Sequence, residues 1–315
     1  MRKAALLYNP LSGQRSSRRL ADMRAALAVL RNAGIEVSAA PTQAANDAAE
    51  QVREAVSQEC DTVFACGGDG TIHDVVQGLV GTEVALGVIP LGTANAVAHD
   101  LGIPLGPARA ARVALSARAR RVAVGQVTYQ NPSGNSGCCY FLAAAGMGVD
   151  AHVFHELDSS LKTRFGMLAY YARAGWLWLT HNMQTFNARF VEPAGSSRQI
   201  EISELLAVRI RNFGGVVREL APGASLDRND LRLVLFRTQS RVRYLQYILR
   251  GVAGAGWKVS GVELESSAEV SCRDLPGAKS LVYVEADGEV LGTLPAELRI
   301  VPAALTVLFP NPGRG

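Results

Sequence analysis

One stretch of the sequence combines residues that could bind phosphate and a metal ion together. The stretch FACGGDGTIHDVV (64–76) places Gly67, Gly68 and Gly70 around Asp69, directly before apolar residues at helical spacing. Glycines at a strand-to-helix turn leave backbone N–H groups unobstructed, and N–H groups at a helix N-terminus attract phosphate. The alternative is a tight turn in which only glycine fits. Asp69 favours the phosphate interpretation, since a carboxylate beside phosphates requires a divalent cation such as Mg²⁺ between them.

Two further stretches have the same character. YNPLSG (8–13) and PLGTANAVAHDLGIP (90–104) each follow an apolar run and lead into a helical pattern, with Thr93 or Asn95 as the predicted N-cap of the second helix. In a doubly wound sheet, turns of this kind lie along the carboxyl edge, where ligands bind. The sequence has neither a GxxxxGK[ST] motif nor the HRD and DFG motifs of protein kinases. A GxGxxA pattern at 146–151 lies among β-like runs and predicts a structural turn.

The predicted secondary structure that must position these stretches changes near Arg120, from alternating strands and helices to mostly strands. Before it, strands are predicted at 4–8, 35–39, 62–66 and 84–89, alternating with helices at 20–30, 44–56, 72–80, 93–101 and 108–117. Strict alternation predicts a parallel sheet covered on both faces. After it, strands are predicted at 122–129, 140–145, 201–210, 231–236, 281–285 and 298–301, with helices at 161–180 and 242–252. The predicted fold class is an α/β domain with a doubly wound, mostly parallel sheet, followed by an antiparallel β-sandwich.

Composition excludes several function classes. A chain of 315 residues suggests two domains, and 48% hydrophobic with 19% charged residues is ordinary for a globular protein with a large core. A net charge of +4 is too small to argue for a nucleic-acid partner, and no apolar run is long enough to span a membrane. The N-terminal run ends at Asn9-Pro10 without a signal-peptide cleavage site. Five cysteines without CxxC spacing predict reduced core thiols in a cytoplasmic protein.

The three phosphate-type stretches, in this order and spacing, resemble the diacylglycerol kinase catalytic-domain family, which includes bacterial lipid kinases and the sphingosine and ceramide kinases. The resemblance rests on NPLSG, GGDGT and PLGTAN followed by LGIP, and it continues through FLAAAGMGVDAHV, LKTRFGMLAYY, NFGG, LAPGASLD and EADGEVLGTLP. It covers essentially the whole chain. The GGDGT motif alone is shared with NAD kinases and phosphofructokinases, whereas the PLGTAN stretch and the DGE turn favour the lipid kinases.

The resemblance implies a two-domain kinase with ATP as phosphoryl donor and Mg²⁺ as cofactor. Its domains would be a nucleotide-binding domain at 1–122, onto which 303–315 pack back, and a lipid-substrate domain at 123–302. Asp69 would hold Mg²⁺ and act in catalysis, and Glu289 of the DGE turn would be the general base for the lipid hydroxyl. Without the resemblance, Asp287-Gly288-Glu289 predicts a plain hairpin turn. The residues implied to contact the nucleotide are Asn9, Thr42, Gly67, Gly68, Asp69, Gly70, Thr71, Thr93 and Asn95.

This chain departs from the family pattern in three places. Many members have a carboxylate where Ala96 follows the GTAN asparagine, and another where Ala123 lies in RRVAVG. Bacterial members often read DDG and bind a structural Mg²⁺ where this chain reads LDRND (226–230). We expect the Arg228 guanidinium to replace that ion by pairing with Asp227 or Asp230.

The implied partner is a lipid substrate at a membrane surface, so a peripherally membrane-associated enzyme is expected. The helical stretch 161–180 mixes aromatic and basic residues, which suits either an interfacial surface or an aromatic face packed on the sandwich. Two rival functions remain open: a soluble NAD-kinase-like enzyme, and a nucleotide-binding regulator without turnover, which Ala96 and Ala123 would favour. The sequence names neither the lipid nor the oligomeric state, a monomer or a homodimer.

Overall fold

The computed structural model describes residues 1–10, 16–42, 47–149, 151–152, 183–192, 195–214, 219–254, 256–278 and 280–311. The chain divides into two compact units. Unit 1 comprises Met1–Val124, Asn212–Gly215 and Pro302–Gly315; unit 2 comprises Gly125–Arg211 and Val216–Val301. The predicted helix at 161–180 lies outside the described residues.

Unit 1 alternates strands and helices. Its strands are β1 (Lys3–Tyr8), β2 (Glu36–Pro41), β3 (Thr62–Gly67) and β4 (Ala85–Pro90). Its helices are α1 (Ser16–Asn32), α2 (Asp47–Ser57), α3 (Asp69–Leu79), α4 (Ala96–Asp100) and α5 (Pro107–Leu115). The local causes are those the sequence suggests: Gly34 takes a left-handed φ of 81° just after α1, and Pro107 occupies the first turn of α5.

The sheet of unit 1 is parallel, in the order β4-β3-β1-β2. Its central strands β3 and β4 are buried at every residue, which explains their continuous apolar sequences. The core includes Leu6, Leu30 and Phe64. A last strand comes from the end of the chain, where Thr306 and Val307 pair in parallel with Ala85 and Leu86 of β4.

Unit 2 is built of antiparallel strands. They are β5 (Arg118–Gln130, entering from unit 1), β6 (Ser136–Phe141), β7 (Ala144–Gly148), β8 (Phe186–Val191), β9 (Ser197–Ile202), β10 (Glu204–Val208), β11 (Leu231–Phe236), β12 (Val262–Ser267), β13 (Glu269–Asp274), β14 (Tyr283–Ala286) and β15 (Glu289–Phe309, leaving into unit 1). Six of them follow the order β12-β11-β10-β7-β14-β15, while β13, β8 and β9 form a second run that joins β15. Helix α6 (Arg241–Ala253), in the described part of unit 2, begins after Ser240 and ends at Gly254 in the left-handed conformation.

The predicted fold class, an α/β domain plus an antiparallel β-sandwich, is confirmed. Four details of the prediction are wrong. The predicted strand 201–210 is two strands separated at Ser203, and the predicted strand 140–145 is interrupted at 142–143. Strands β8, β12 and β13 were absent from the prediction. Only four of the five cysteines are core thiols, since Cys138 is exposed, and burial raises the pKa of Cys66 to about 12.

Candidate active site

The carboxyl edge of the unit 1 sheet collects the predicted nucleotide-binding residues. The register pairs Tyr8 with Pro41, Tyr8 with Cys66, and Gly67 with Pro90, so all four strands end at the same level. The residues that follow these ends must therefore meet along one edge. They are Asn9 after β1, Thr42 after β2, Gly68 and Asp69 after β3, and Leu91 and Gly92 after β4.

Two backbone loops touch at this edge. A Cβ atom added to Gly92 would lie 2.4 Å from the Cα atom of Gly68, and one added to Gly67 would lie 2.2 Å from Oγ1 of Thr71. No side chain beyond hydrogen fits at either position. Gly92 is required by the contact between the loop after β4 and the loop after β3, and Gly67 by the contact with Thr71 in the first turn of α3. The loops are also joined by a hydrogen bond from the Leu91 N–H to the Gly67 carbonyl at 2.8 Å.

Helix α3 begins earlier than predicted, at Asp69 instead of Ile72. Asp69, Gly70 and Thr71 thus form its first turn, where backbone N–H groups point out of the helix end. Gly68 at the N-cap has no side chain, so the N-cap residue neither caps these N–H groups nor blocks a ligand from them. This geometry suits an anion such as a phosphate.

Asn95 lies in the loop but does not cap helix α4, so the prediction of a Thr93 or Asn95 cap is wrong. Asn95 occupies the N-cap position in a left-handed conformation, with φ of 52°, and makes no capping hydrogen bond. Its amide instead folds back on the loop: Oδ1 accepts the Gly92 N–H at 2.9 Å and Nδ2 donates to the Gly92 carbonyl at 3.0 Å. Buried Asn95 therefore shapes the loop, whereas Thr93 is exposed at its surface.

Thr42 and Asn9 lie at the outer part of the same edge. The buried Thr42 donates its backbone N–H to the Tyr8 carbonyl at 2.8 Å, with its hydroxyl 3.4 Å from the same oxygen. Asn9 follows directly and is half-buried. The structure thus brings every implied nucleotide-binding residue to one edge of unit 1.

We expect Gly92→Ala to destabilise unit 1 by about 1–3 kcal/mol, because the added methyl must push the Gly68 backbone away. ATP affinity should fall as well, since the glycine turn after β3 moves with it. Urea unfolding and calorimetric ATP titration measure both effects. Gly106→Ala is the matched control, because its Cβ would lie 3.6 Å from Arg109 Cδ at an ordinary φ of −82°. Equal behaviour of the two variants would contradict the prediction.

The residues at this edge fit a Mg²⁺ ion with few protein ligands. Asp69 Oδ1 accepts a long hydrogen bond of 3.5 Å from the Val97 N–H at the start of α4, which directs the carboxylate to the edge. Among the described residues no cluster of three or more His, Cys, Asp or Glu could hold a metal. Mg²⁺ commonly binds one or two carboxylates together with phosphates and waters, so a single aspartate suffices. Ala96 and Ala123, where the resemblance expects carboxylates, are both buried.

In unit 2, the DGE turn is a hairpin held by its own aspartate. Asp287 and Gly288 have φ values of 51° and 87°, as a two-residue turn between β14 and β15 requires. The Asp287 carboxylate accepts the backbone N–H groups of Leu142, Ala143 and Ala144 at 3.0, 2.8 and 3.1 Å. These bonds explain why the predicted strand at 140–145 is interrupted. They fix the turn that carries Glu289, whose side chain is exposed.

Two arginines hold the loop at 226–230. The guanidinium of Arg228 pairs bidentately with the Asp230 carboxylate, which decides between the two predicted partners. Arg209, 1% exposed, donates to the carbonyl oxygens of Leu226, Arg228 and Asp230 at 3.3, 2.8 and 2.7 Å. Burial lowers the pKa of Arg209 to about 10, so it stays charged at neutral pH. The role of Arg209 was not predicted, although a lone arginine in the apolar run LLAVRI was a usable signal.

We expect a chelator to leave the melting temperature of the nucleotide-free protein unchanged. Arg209 and Arg228 place positive charge where a metal ion would otherwise neutralise Asp230 and bind the loop carbonyls. Thermal unfolding with and without EDTA measures this. A fall in the melting temperature that added Mg²⁺ reverses would show that the loop still holds a metal.

One contact within unit 1 was also not predicted from the sequence. The Asn212 N–H donates to Oδ1 of Asp100 at the end of α4 at 2.9 Å. Gly214, at φ of 69°, lies against His99, since a Cβ there would be 2.2 Å from its ring. The sequence placed this NFGG segment in the second domain, but the structure places 212–215 in unit 1.

Two family models match the chain. Residues 3–127 match the diacylglycerol kinase catalytic domain, and residues 143–309 match the YegS C-terminal NAD kinase beta sandwich-like domain. The chain belongs to the diacylglycerol kinase catalytic-domain family. The predicted enzyme class, a lipid kinase, is confirmed by this membership and by the curated relatives.

The relatives of this family member match it from end to end. A diacylglycerol kinase of Bacillus subtilis is 29% identical over 99% of this chain and 97% of its own length. One of Mycobacterium tuberculosis is 28% identical over 99% and 96%. Among solved structures, a putative diacylglycerol kinase from Bacillus anthracis has a TM-score of 0.75 at 22% identity, covering 98% of this chain and 95% of its own. Yeast NADH kinase has a TM-score of 0.51 at 11% identity, covering 99% and 84%.

Proposed function

We propose that this family member transfers the γ-phosphoryl group of ATP to the hydroxyl of a diacylglycerol-like lipid, with Mg²⁺ as cofactor. The observation that carries the proposal is the glycine-lined carboxyl edge of unit 1, where the first turn of α3, which no N-cap side chain caps, includes Asp69. Family membership and relatives named diacylglycerol kinase support the choice of acceptor.

The residues of this chain would divide the work. Backbone N–H groups of Gly68, Asp69, Gly70 and Thr71 bind the phosphates, and Thr93, Asn9 and Thr42 contact the rest of the nucleotide. Asp69 would hold Mg²⁺, which neutralises phosphate charge when bound. Glu289 accepts the proton of the lipid hydroxyl as its oxygen bonds to the γ-phosphorus, while the bond from that phosphorus to the β-γ bridging oxygen breaks and ADP departs.

Two observations favour a second acceptor class. The fold likeness to yeast NADH kinase and the description of the second domain both point toward NAD-kinase-like enzymes. A regulator that binds nucleotide without turnover is the third candidate, and the buried Ala96 and Ala123 favour it.

The deciding experiment uses γ-labelled ATP and Mg²⁺ with three separate acceptors: diacylglycerol in detergent micelles, a mixed bacterial lipid extract, and NAD. We expect labelled lipid from the wild type, none from Asp69→Asn, and no labelled NAD product. Glu36→Gln, which changes an exposed carboxylate at the start of β2, is the control variant. Label in NAD alone would establish the second candidate. ATP binding without any labelled product would establish the regulator.

A further inference from the structure

Helix α6 exposes its aliphatic side, whereas a surface helix usually buries that side. Most of its outward residues are aliphatic, and we name five of them the aliphatic face: Val242, Leu245, Ile248, Leu249 and Val252. Val242 is 63% exposed, Leu245 49% and Leu249 51%. They recur at spacings of three and four, so they form one continuous stripe. A surface helix normally turns such a stripe toward the core.

The orientation of α6 is fixed by specific contacts on its inner side. Tyr244 stacks on Phe236 with ring centroids 4.2 Å apart, and its hydroxyl lies 2.8 Å from the Ser203 hydroxyl. Tyr247 donates its hydroxyl to the Leu220 carbonyl and packs edge-on against Phe236. Burial raises the pKa of Tyr247 to about 12, which keeps that donor protonated. Turning the aliphatic face inward would break all of these contacts.

The inner side also anchors the last turn of the helix. The Arg250 guanidinium lies 4.3 Å above the ring of Tyr247 and donates to the Leu220 carbonyl at 3.3 Å. Its charge is thus directed inward, so it does not interrupt the outward stripe. The contacts on the inner side of α6 therefore hold the helix with its aliphatic face toward the outside.

The charged residues of α6 and of the segment that follows it are all basic. Between Gln239 and Val262 the sequence has no acidic residue, and it carries Arg241, Arg243, Arg250 and Lys258. Trp257, 48% exposed, precedes Lys258 in the segment after the helix. An aliphatic stripe with flanking basic residues and a tryptophan is the composition of helices that lie in a membrane interface.

The acidic residues near α6 include Glu219, which pairs with Arg211 at 3.8 Å, and two glutamates of strand β12, which are paired as well. Glu263 accepts hydrogen bonds from Arg198 and Arg237, both at 2.7 Å, and Glu265 accepts one from Arg198 at 3.3 Å. Burial acts to raise the pKa of Glu263, but the two arginines outweigh it and lower that pKa. The negative charge beside α6 is therefore already paired within the protein.

We propose that the aliphatic face of α6 docks on an anionic lipid bilayer, with its apolar side chains among the acyl chains and Arg241, Arg243 and Lys258 at the headgroups. The inference rests on the proposed function, because it supplies the surface on which a lipid kinase would find its acceptor. A second copy of the chain is the competing occupant. The basic flanks favour the bilayer, since two such faces would bring like charges together.

The test measures binding of the full chain to sedimented vesicles of phosphatidylcholine, with and without phosphatidylglycerol, in the absence of ATP. We expect wild-type binding to require phosphatidylglycerol and to weaken with salt. The double variant Leu245→Gln/Leu249→Gln should lose about tenfold or more in affinity, because apolar burial drives insertion. The matched control is Val191→Gln/Leu281→Gln, which removes residues of 50% and 62% exposure elsewhere in unit 2.

Phosphorylation of monomeric dioctanoylglycerol, which needs no bilayer, separates this inference from the proposed function. Unchanged turnover in the α6 double variant together with lost vesicle binding supports the inference. Vesicle binding without phosphorylation of any lipid would leave the docking surface standing and remove the kinase. Equal vesicle binding by the wild type and the double variant overturns the inference, as does a wild-type dimer that the double variant converts to monomers.

Discussion

Replacing Glu289 with glutamine should lower kcat for lipid phosphorylation by about 10²–10⁴-fold, the range that a positioned general base contributes. Glutamine keeps the size and removes the proton acceptor. Because Glu289 is exposed and follows a turn held by Asp287, the substitution should leave the free energy of unfolding within about 0.5 kcal/mol of the wild type. ATP affinity should also persist, since the glycine edge belongs to unit 1.

The measurement is the rate of labelled phosphate transfer at saturating ATP and lipid, beside urea unfolding of the same preparations. Glu297→Gln is the matched control, because Glu297 is an exposed glutamate of the same strand, β15. A variant at Glu289 that retains wild-type kcat would remove the general-base role. Equal losses in both variants would show a general sensitivity of the strand.

Replacing Arg209 with methionine should lower the free energy of unfolding by about 3–5 kcal/mol, as expected when one partner of a buried charged network is removed. Methionine fills a similar volume but donates nothing to the carbonyl oxygens of Leu226, Arg228 and Asp230. Those oxygens would be left without the guanidinium that now binds them together. This is the largest stability effect that we expect in unit 2.

The control is Arg228→Gln, which breaks a largely exposed ion pair with Asp230 and should cost less than about 1 kcal/mol. Urea unfolding of both variants gives the comparison directly. Similar small losses would mean that water replaces the Arg209 guanidinium in the loop. Added Mg²⁺ that restores the stability of Arg209→Met would show that a metal ion can take its position.

Local sequence was sufficient wherever a feature depends on neighbouring residues. The alternation of apolar runs gives the parallel sheet, and three glycines around Asp69 identify the turn after β3 before any coordinate is known. The edge itself also follows, because strands of a parallel sheet end on one side. The order of the motifs is then enough to predict membership of a kinase family.

Contacts between distant segments could not be derived in this way. The GGDGT motif does not predict that Gly68 contacts Gly92. The PLGTAN stretch does not predict that Asn95 bonds to its own loop instead of capping α4. Nor does the DGE turn reveal that Asp287 binds three amides near residue 143. Such contacts depend on tertiary packing, which sequence periodicity and secondary-structure propensity do not reveal.

Strand β15 was the element most underestimated. Four residues of it were predicted, while the strand runs through 21 residues from Glu289 to Phe309. Pro295 and Pro302 lie inside it, and proline lacks the N–H group that a ladder uses, so local rules predict interruptions there. Pairing with several different strands along its length outweighs these local preferences.

The same strand sets an order of events during synthesis. Strand β4, buried at every residue, leaves the ribosome long before Thr306 and Val307 exist to pair with it. Until then the nascent unit 1 carries an open, apolar sheet edge, the kind of surface that invites pairing with other chains. The yield of folded protein in a cell therefore depends on how this edge is shielded while unit 2 is translated. A gene fragment that encodes only the first 124 residues would yield an aggregation-prone product.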